Sequence, residues 1–227
     1  MIKLEHVRKS YFRKNAEVRV FDDLNFEVNK GDFYAVMGPS GTGKSTFLNI
    51  VGGVDSVDGG EYWFDGQRID NFSESQLSDW RSQNVAFIFQ SFNLLKILNA
   101  AENVELPLLL TSLSAPDRKR RVMKALELVG LQERAEHLPD ELSGGQQQRV
   151  AIARAIVSDT PLILCDEPTG NIDAEATEEI LDILRLLNQE FNKTIVMVTH
   201  DMQAAEYANK LFSLEKGNFE EQLMKQA

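Results

Sequence analysis

Cysteine is nearly absent from this sequence of 227 residues, which contains only Cys165. An internal disulfide is therefore excluded, and nothing near Cys165 resembles a thiolate metal site. Long apolar runs are also missing, because the longest, VELPLLL, is far shorter than the roughly 18 residues that span a bilayer. Charges interrupt the first residues, MIKLEHVRKSYF, too early for a secretory signal. These absences predict a cytosolic protein.

Positive charge is in deficit, since 24 Lys and Arg residues stand against 35 Asp and Glu residues, for a formal net charge of −11. General nucleic-acid binding needs clustered Lys and Arg to displace counterions, so it is not expected. The same charge disfavours direct contact with an anionic membrane. The length suits one domain, or a core with a lobe, and the apolar fraction of 43% suits a globular protein.

Five short apolar runs are rich in β-branched and aromatic residues: FYAVM, VAFIF, LILC, TIVMV and LFSL. Continuous runs of this kind are typical of strands buried on both faces of a parallel sheet. Helical patterns lie between several of them. In EATEEILDILRLLNQEF, a stripe of apolar residues at helical spacing is predicted to pack in the core: Ile180, Ile183, Leu184 and Leu187.

Two other regions differ from this core. The segments MIKLEHV and FDDLNFEV alternate as half-exposed strands do, and GGEYWFDGQRI has the pattern of a hairpin. Residues 92–140 are predicted to be mostly helical, with one helix capped by Ser114 and stopped at Gly130. We therefore expect an α/β fold with a mostly parallel sheet core, an antiparallel β subdomain and a helical insertion.

The stretch MGPSGTGKST contains a glycine loop suited to phosphates. Gly38, Gly43, Lys44 and Ser45 match the pattern G-x-x-x-x-G-K-[ST], after the strand FYAVM and before the helical stretch STFLNIV. Glycines let backbone N–H groups turn inward around an anion, and the helix start adds partial positive charge. Lys44 can reach the β- and γ-phosphates, and the Ser45 hydroxyl can bind Mg²⁺. The alternative, a chance glycine turn, is disfavoured by this strand–loop–helix context.

A pair of acidic residues ends the apolar run in PLILCDEP. Asp166 emerges at the carboxyl end of a predicted strand, where ligand sites of α/β sheets gather, and can hold Mg²⁺ directly or through water. Glu167 follows at once and can orient or deprotonate an attacking water. Alone, this pair is equally typical of a solvated turn. Together with the phosphate loop, it predicts a site that hydrolyses Mg-ATP.

A second glycine loop, LSGGQQQR, raises the question of why one chain has two. Ser143, Gly144 and Gly145 precede a helical pattern, QQQRVAIARAIV, so they are expected at another helix N-terminus. A plain helix cap is one interpretation. The other is that two chains pack head to tail, with each nucleotide between the first loop of one copy and the second loop of the other. Hydrolysis then needs a dimer.

Taken together, these motifs resemble those of the nucleotide-binding subunit of ATP-binding-cassette (ABC) transporters, over essentially the whole chain. The resemblance rests on the phosphate loop, Gln90 in FIFQSF, LSGGQQQR, LILCDE, NID ending at Asp173, and His200 in VTHD, in the family's order. It implies a P-loop NTPase (RecA-like) fold, binding of ATP and Mg²⁺, a homodimer on ATP binding, and a transmembrane permease partner. Membrane contact is expected only through that partner, at the cytoplasmic face of the inner or plasma membrane.

Catalytic and metal-binding roles are implied by the same resemblance. Glu167 and Gln90 are expected to act on the attacking water, and His200 to contact the γ-phosphate. Gln90 is also expected to touch Mg²⁺, together with Ser45 and Asp166. Without the resemblance, His200 would be read as a local hydrogen-bonding residue and Gln90 as a strand-end cap.

The remaining site residues are implied to bind the nucleotide. An aromatic residue that stacks on adenine is usual near the first strand, and Tyr11 in RKSYF is the match, with Phe12 as the alternative. Asp173 is expected to cap the next helix, to contact the other subunit, or both. The full set is Tyr11, Gly38, Pro39, Ser40, Gly41, Thr42, Gly43, Lys44, Ser45, Thr46, Ser143, Gly144, Gly145, Gln146 and Asp173.

Within the family, this sequence is most similar to the lipoprotein-releasing and macrolide-exporter ATPases, and the cell-division ATPase is a close relative. There are two departures: Lys96 stands where the family usually has proline, and EKGNFEEQ lacks the usual Asp-Gly hairpin. The first interpretation is a motor for export or extraction of a lipoprotein, lipid or drug-like substrate. The alternative is signalling through a membrane partner without transport. DNA-handling, translation and binding-only cassettes are disfavoured, because the coiled-coil insertion and second cassette are missing and every catalytic-type residue is present.

The predicted division is one ABC ATPase domain over residues 1–227. Residues 1–91 supply the β subdomain and the first part of the core, residues 92–142 the helical subdomain, and residues 143–227 the rest of the core. A cluster of apolar residues just after Gln90 is predicted to receive a cytoplasmic helix of the membrane partner: Phe92, Leu94, Leu95, Ile97 and Leu98.

Overall fold

Two sheets with helices packed on them make up the computed structural model, which describes residues 1–13, 16–215 and 218–222. The described strands are β1 (Ile2–Arg13), β2 (Ala16–Val28), β3 (Phe33–Met37), β4 (Gly59–Phe64), β5 (Gln67–Arg68), β6 (Val85–Phe89), β7 (Leu162–Asp166), β8 (Thr194–Val198), β9 (Lys210–Glu215) and β10 (Asn218–Gln222). The described helices are α1 (Lys44–Val51), α2 (Glu74–Asn84), α3 (Ala100–Glu105), α4 (Ala115–Leu128), α5 (Gly144–Ile156), α6 (Ala174–Gln189) and α7 (Met202–Ala205).

The larger sheet has the strand order β10-β9-β3-β8-β7-β6, and neighbours from β9 to β6 run parallel. The five apolar runs of the sequence form these five strands. Strand β8 is buried along its whole length, and β3 and β7 are buried at all but their last residue. A parallel sheet covered on both faces requires such continuous apolar runs. The predicted α/β core with a parallel sheet is therefore confirmed.

The smaller sheet is antiparallel, in the order β2-β1-β4-β5. From Leu24 to Val28, every second side chain of β2 is buried, which matches the alternation in the sequence. The buried side chains of this sheet pack with helix α1 and one face of the larger sheet, and Phe26 meets Phe47 edge to face at 4.9 Å. This packing fixes the antiparallel sheet close to the start of α1.

A hairpin ends the larger sheet even though the Asp-Gly sequence is missing. Strand β10 pairs antiparallel with β9, with Glu215 opposite Asn218. The connecting residues 216–217 lie outside the described residues. The absence of Asp-Gly, noted from EKGNFEEQ, therefore does not prevent these two strands from pairing.

The region after Gln90 begins with an irregular loop and continues as short helices. Residues 92–99 have no helix, α3 and α4 follow, and short 3₁₀ helices lie at Leu106–Leu110, Gln132–Arg134 and Pro139–Glu141. The Ser114 hydroxyl accepts from the backbone N–H of Asp117 at 3.3 Å, as predicted for the α4 cap. Gly130 has a φ of 70° just past that helix.

Helix α2 was not predicted from the sequence. It begins at a reciprocal cap between Ser73 and Gln76, and Trp80 is its only buried residue. A helix that buries one side chain has no apolar stripe to reveal it. Among the described residues, no helix combines the length and the apolar character needed to cross a membrane.

Candidate nucleotide-binding and catalytic site

The parallel strands end at one level, and the candidate site lies there. In the register of the sheet, Phe89 on β6 is opposite Asp166 on β7, which is opposite Val198 on β8. Gln90, Glu167 and His200 follow these three positions by one or two residues. Their alignment is therefore a consequence of the strand register.

The phosphate loop (residues 38–46) connects β3 to α1. Gly43 caps α1 with a φ of 101°, and a Cβ at this position would lie 2.6 Å from the Val20 side chain, so both conformation and space require glycine. The Lys44 ammonium donates to the carbonyl oxygens of Gly38 at 2.7 Å and Pro39 at 3.0 Å. The lysine thus lies folded over its own loop, with its ammonium group satisfied by two carbonyl oxygens of that loop.

Asp166 and Ser45 form the candidate metal site. The Ser45 hydroxyl lies 3.4 Å from the Asp166 carboxylate. Burial is the largest cause that raises the pKa of Asp166 and the nearby Glu167 carboxylate adds to it, while the Ser45 hydrogen bond and the Lys44 charge act in the opposite direction. A divalent cation would offset this unfavourable ionisation. In the described residues no three His, Cys, Asp or Glu side chains gather as a metal cage. A small number of protein ligands is sufficient for Mg²⁺, because this ion keeps several waters and binds substrate phosphates in its coordination shell.

Glu167 is paired with His200. The imidazole Nδ1 lies 2.7 Å from Glu167 Oε2, and the backbone N–H of His200 donates to the same oxygen at 3.3 Å. An ionised carboxylate only accepts hydrogen bonds, so the proton between these atoms belongs to Nδ1. Glu167 has a φ of 50°, and its N–H donates to Val198 O at 2.9 Å. Left-handed backbone in a non-glycine residue costs on the order of 1 kcal/mol or more and is concentrated at functional sites.

Gln90 is held by a residue that the sequence interpretation did not select. Gln90 Nε2 donates to Asn171 Oδ1 at 3.3 Å, and Asn171 Nδ2 donates to the Gln90 carbonyl at 3.0 Å. The Gln90 side chain therefore engages the loop after Glu167, and in the described residues it has no hydrogen bond to Ser45 or Asp166. Asn171 stands in the quoted NID motif, which was its only sequence signal.

The second glycine loop (residues 143–146) begins helix α5. Ser143 and Gln146 cap the helix reciprocally, at 3.3 Å and 3.0 Å. A Cβ at Gly145 would lie 2.5 Å from the Ala176 Cβ on α6, so glycine permits the close approach of the two helices. Neither Ser143 nor Gln146 hydrogen-bonds to the phosphate loop among the described contacts. Asp173 caps α6 through the backbone N–H of Ala176 at 2.9 Å.

The two aromatic candidates for the base site have different surroundings. The Tyr11 hydroxyl donates to Asp55, and the Lys9 ammonium lies over the ring, 5.0 Å from its centre. Burial raises the pKa of Tyr11, the Asp55 hydrogen bond raises it further, and a hydrogen bond with Thr46 of the phosphate loop opposes both. Tyr11 is 39% exposed and lies beside the loop, whereas Phe12 is 82% exposed. Asp55 and Lys9 carried no sequence signal for this role.

A glycine loop between a parallel strand and a helix, with an acidic residue at the end of a neighbouring strand, defines a nucleotide-binding protein of the P-loop class. The family described as ABC transporter matches residues 21–170, and the chain belongs to that family. This membership makes the chain an ATP-binding protein and an ATPase of the ABC type.

Individual relatives agree with this assignment. The uncharacterized ABC transporter ATP-binding protein YknY of Bacillus subtilis (strain 168) is 44% identical over 218 residues, 96% of this chain and 94% of YknY. The macrolide export ATP-binding/permease protein MacB of Pasteurella multocida (strain Pm70) is 39% identical over 217 residues, 96% of this chain and 33% of MacB.

A solved structure is similar over the full length. It is the dimeric post-hydrolysis state of the ATP-binding cassette MJ0796, bound to ADP and Pi, from Methanocaldococcus jannaschii. The TM-score is 0.91 at 38% identity, and the match covers 100% of both chains. The P-loop NTPase fold implied by the motifs is therefore confirmed.

Proposed function

We propose that this chain is the ATP-hydrolysing subunit of a membrane transporter, that it binds Mg-ATP between two copies, and that it drives conformational change in a transmembrane partner. The observation that supports this most directly is the set of groups at the strand ends. One loop is surrounded by Lys44, Ser45, Asp166, Glu167 and His200. In the described residues, the side chains of the second glycine loop make no hydrogen bond to this set. A second copy of the chain would bring its second glycine loop to the site.

Different residues of this chain have different proposed roles in binding and hydrolysing ATP. Backbone N–H groups of residues 38–46 and the Lys44 ammonium bind the phosphates, and Tyr11 stacks on the adenine. Ser45, Asp166 and Gln90 hold Mg²⁺, which when bound neutralises phosphate charge. Gln90 must first exchange its hydrogen bond with Asn171. Glu167 orients the attacking water and accepts its proton.

His200 must change partners to contact the γ-phosphate. With its proton on Nδ1, a neutral imidazole presents an acceptor at Nε2, which phosphate oxygens do not bind. Contact therefore requires a second proton on the ring, or release from Glu167. The second route also makes the Glu167 carboxylate available for water. We propose that the γ-phosphate and Glu167 compete for His200 in this way.

The second glycine loop completes the site from the other copy. Residues 143–146 and Asp173 contact the nucleotide held by the partner subunit's phosphate loop. The helix N-terminus of α5 supplies backbone N–H groups and partial positive charge toward the phosphates. Ser143 and Asp173 also act as helix caps in the monomer, so the two interpretations of these residues are compatible.

The loop after Gln90 is the proposed contact with the membrane partner. Leu95 and Ile97 are 49% and 86% exposed, while Leu94 packs against the core. Leu109 and Leu110 add exposed apolar surface in the same helical region. Apolar side chains exposed together on an acidic protein mark an interface. We propose that residues 92–142 act as a helical subdomain carrying this surface, between core segments 1–91 and 143–227.

We infer export of a drug-like substrate from the similarity to the macrolide exporter MacB. Export or extraction of a lipid or lipoprotein belongs to the same proposal but rests on the motif resemblance alone. This function puts the chain on the cytoplasmic face of the inner or plasma membrane, attached through its permease partner. Signalling without transport, as in a cell-division ATPase, is the alternative. An assay in vesicles that contain the membrane partner distinguishes transport from signalling. A transporter moves substrate across the vesicle membrane when ATP is added, and a signalling ATPase does not.

The partner contact is tested by Ile97→Glu and Leu95→Glu, with Leu186→Glu on α6 as a matched exposed control. We expect the first two variants to lose co-purification with the membrane fraction, whereas ATPase activity without the partner and the folded state persist. The Leu186→Glu variant should keep co-purification with the membrane fraction as well as ATPase activity and the folded state. If folded Ile97 and Leu95 variants still bind the membrane partner and respond to it, the interface lies elsewhere.

A further inference from the structure

Gln148 is a fully buried polar residue one turn into helix α5, with 0% exposure. Its side-chain Nε2 donates to Phe89 O at 3.2 Å and to Pro168 O at 2.5 Å. Phe89 directly precedes Gln90, and Pro168 directly follows Glu167. The Gln148 amide therefore links the backbone just before Gln90 to the backbone just after Glu167. Both Gln90 and Glu167 are proposed to act on the attacking water.

This arrangement lowers the stability of the folded protein, which is not expected of a residue whose role is only to pack in the core. The Gln148 Oε1 is buried and has no hydrogen-bond partner in the described residues. A buried polar atom without a hydrogen-bond partner destabilises the folded protein, because it loses its hydration and gains nothing in return. An apolar side chain of similar length would avoid that cost but would remove the donor shared by the two carbonyl oxygens. Phe89 O also accepts from the backbone N–H of Phe92 at 3.3 Å, whereas the Gln148 amide is the donor described for Pro168 O. The glutamine is therefore best explained by its donor group, which links the two backbone segments.

Helix α5 also fixes the far side of the loop that contains Gln90. The Arg154 guanidinium donates to Phe92 O and Asn93 O. Phe92 and Asn93 both have left-handed backbone, with φ of 56° and 52°. The helix that begins at the second glycine loop thus holds the strand end before Gln90 and the turn after it.

We propose that Gln148 is a positioning residue, which sets the spacing between the loops that carry Gln90 and Glu167 and ties both to helix α5. The inference rests on the catalytic roles proposed above for those two residues. It predicts that the loops lose their correct spacing without the Gln148 donor. The phosphate loop, to which α5 makes no hydrogen bond among the described contacts, keeps its affinity for ATP.

The test is Gln148→Met, with Asn188→Leu as the matched control. Asn188 is a buried amide on α6 that also donates to two carbonyl oxygens, those of Gly31 and Lys193, but at the opposite end of the parallel strands. Both substitutions remove the same number of hydrogen bonds at similar side-chain size. We expect Gln148→Met to lower kcat by about ten- to a hundred-fold, since misplacement of about 1 Å can cost this much, with KM for ATP within two-fold of wild type. Asn188→Leu lowers the melting temperature and leaves kcat per folded molecule unchanged.

Amide hydrogen exchange in the nucleotide-free protein gives a readout that does not depend on activity. Gln148→Met should speed exchange at both residues 90–93 and residues 167–171, and Asn188→Leu at neither. A Gln148 variant with wild-type kcat, or with kcat and KM changed in step with those of Asn188→Leu, overturns the proposal. Unchanged exchange in the two loops also overturns it.

If Gln148→Met does not fold, the proposal is tested by a measurement on the wild-type protein. The Gln148 side-chain amide protons, observed by NMR, should exchange much more slowly than those of the exposed Gln203; equal rates overturn the proposal. A failure of the proposed function is distinguishable, because it would leave Glu167→Gln with wild-type turnover while the exchange readout still reports on Gln148.

Discussion

Both glycine loops begin helices, but they differ in how the helix start is capped and in their surroundings. The first, residues 38–46, lies at the carboxyl end of the parallel sheet, with Lys44 folded over it and Asp166 within reach of Ser45. The second, residues 143–146, is capped by its own side chains. The described contacts link it to the loop around Asn171 and Ile172, where the Gly144 Cβ position is 3.6 Å from Asn171 O.

This difference shows that a helix N-terminus with glycines does not by itself make a complete anion site. The first loop gains its chemistry from carboxylates delivered by neighbouring strands, which the sheet register aligns. The second loop has the partial positive charge of a helix start, and the hydrogen bonds described for its Ser143 and Gln146 side chains are those of its own helix cap. In the proposed dimer, the second loop of one copy complements the first loop of the other, which would account for the presence of two loops in one chain.

The largest expected effect comes from removing the carboxylate next to the first loop. Glu167→Gln should lower turnover by about 10²–10⁴-fold, because general-base assistance is lost. ATP binding should persist, and ATP-bound dimer should accumulate. Steady-state ATPase rates and gel filtration with ATP measure this, with Glu127→Gln on α4 as control. Turnover within a few-fold of wild type would remove Glu167 from the catalytic role.

A smaller effect is expected at Lys44, which acts on binding. A hydrogen bond to a charged group contributes about 1.5–3 kcal/mol, so Lys44→Ala should weaken ATP affinity by about ten- to a hundred-fold. Equilibrium binding to a fluorescent ATP analogue measures it, and the exposed Lys124→Ala should bind normally. Unchanged affinity for Lys44→Ala would contradict its assignment to the phosphates.

The smallest effect concerns the base site and separates Tyr11 from Phe12. Aromatic stacking contributes about 0.5–1.5 kcal/mol beyond burial, so Tyr11→Ala should weaken ATP binding by up to about ten-fold. Affinity for inorganic tripolyphosphate should not change, because the first loop is intact. Phe12→Ala should leave both affinities within two-fold. The reverse result would assign the base contact to Phe12.

Much of the fold could be predicted because burial on both faces leaves a plain sequence pattern. The runs that form β3, β7 and β8 are continuously apolar, and the β1–β2 pair alternates. Helix α2 left no such pattern, since it buries only Trp80. The Asp-Gly-free end of the chain still forms a hairpin, because strand pairing with β9 does not depend on one turn sequence.

The candidate site was predictable where one short motif contains the chemistry, as in residues 38–46 or the pair Asp166 and Glu167. The contacts between motifs were not. Gln148 reaches a carbonyl 59 residues earlier, Gln90 pairs with Asn171 across 81 residues, and Tyr11 meets Asp55 across 44. Each such contact depends on three-dimensional packing and has no local spacing to reveal it.

The most direct test of assembly between copies uses two chains linked in tandem, one lesion being Lys44→Ala in the first loop and the other Ser143→Arg in the second. If each site combines loops from both copies, lesions placed in different copies fall on one site and leave the other intact. Lesions placed together in one copy damage both sites.

The measurement is the ATPase rate and nucleotide occupancy of these two tandem proteins. We predict activity when the lesions are in different copies, and activity at background when they share a copy. Activity only when the lesions share a copy would mean that each chain uses its own two loops, and would contradict the account.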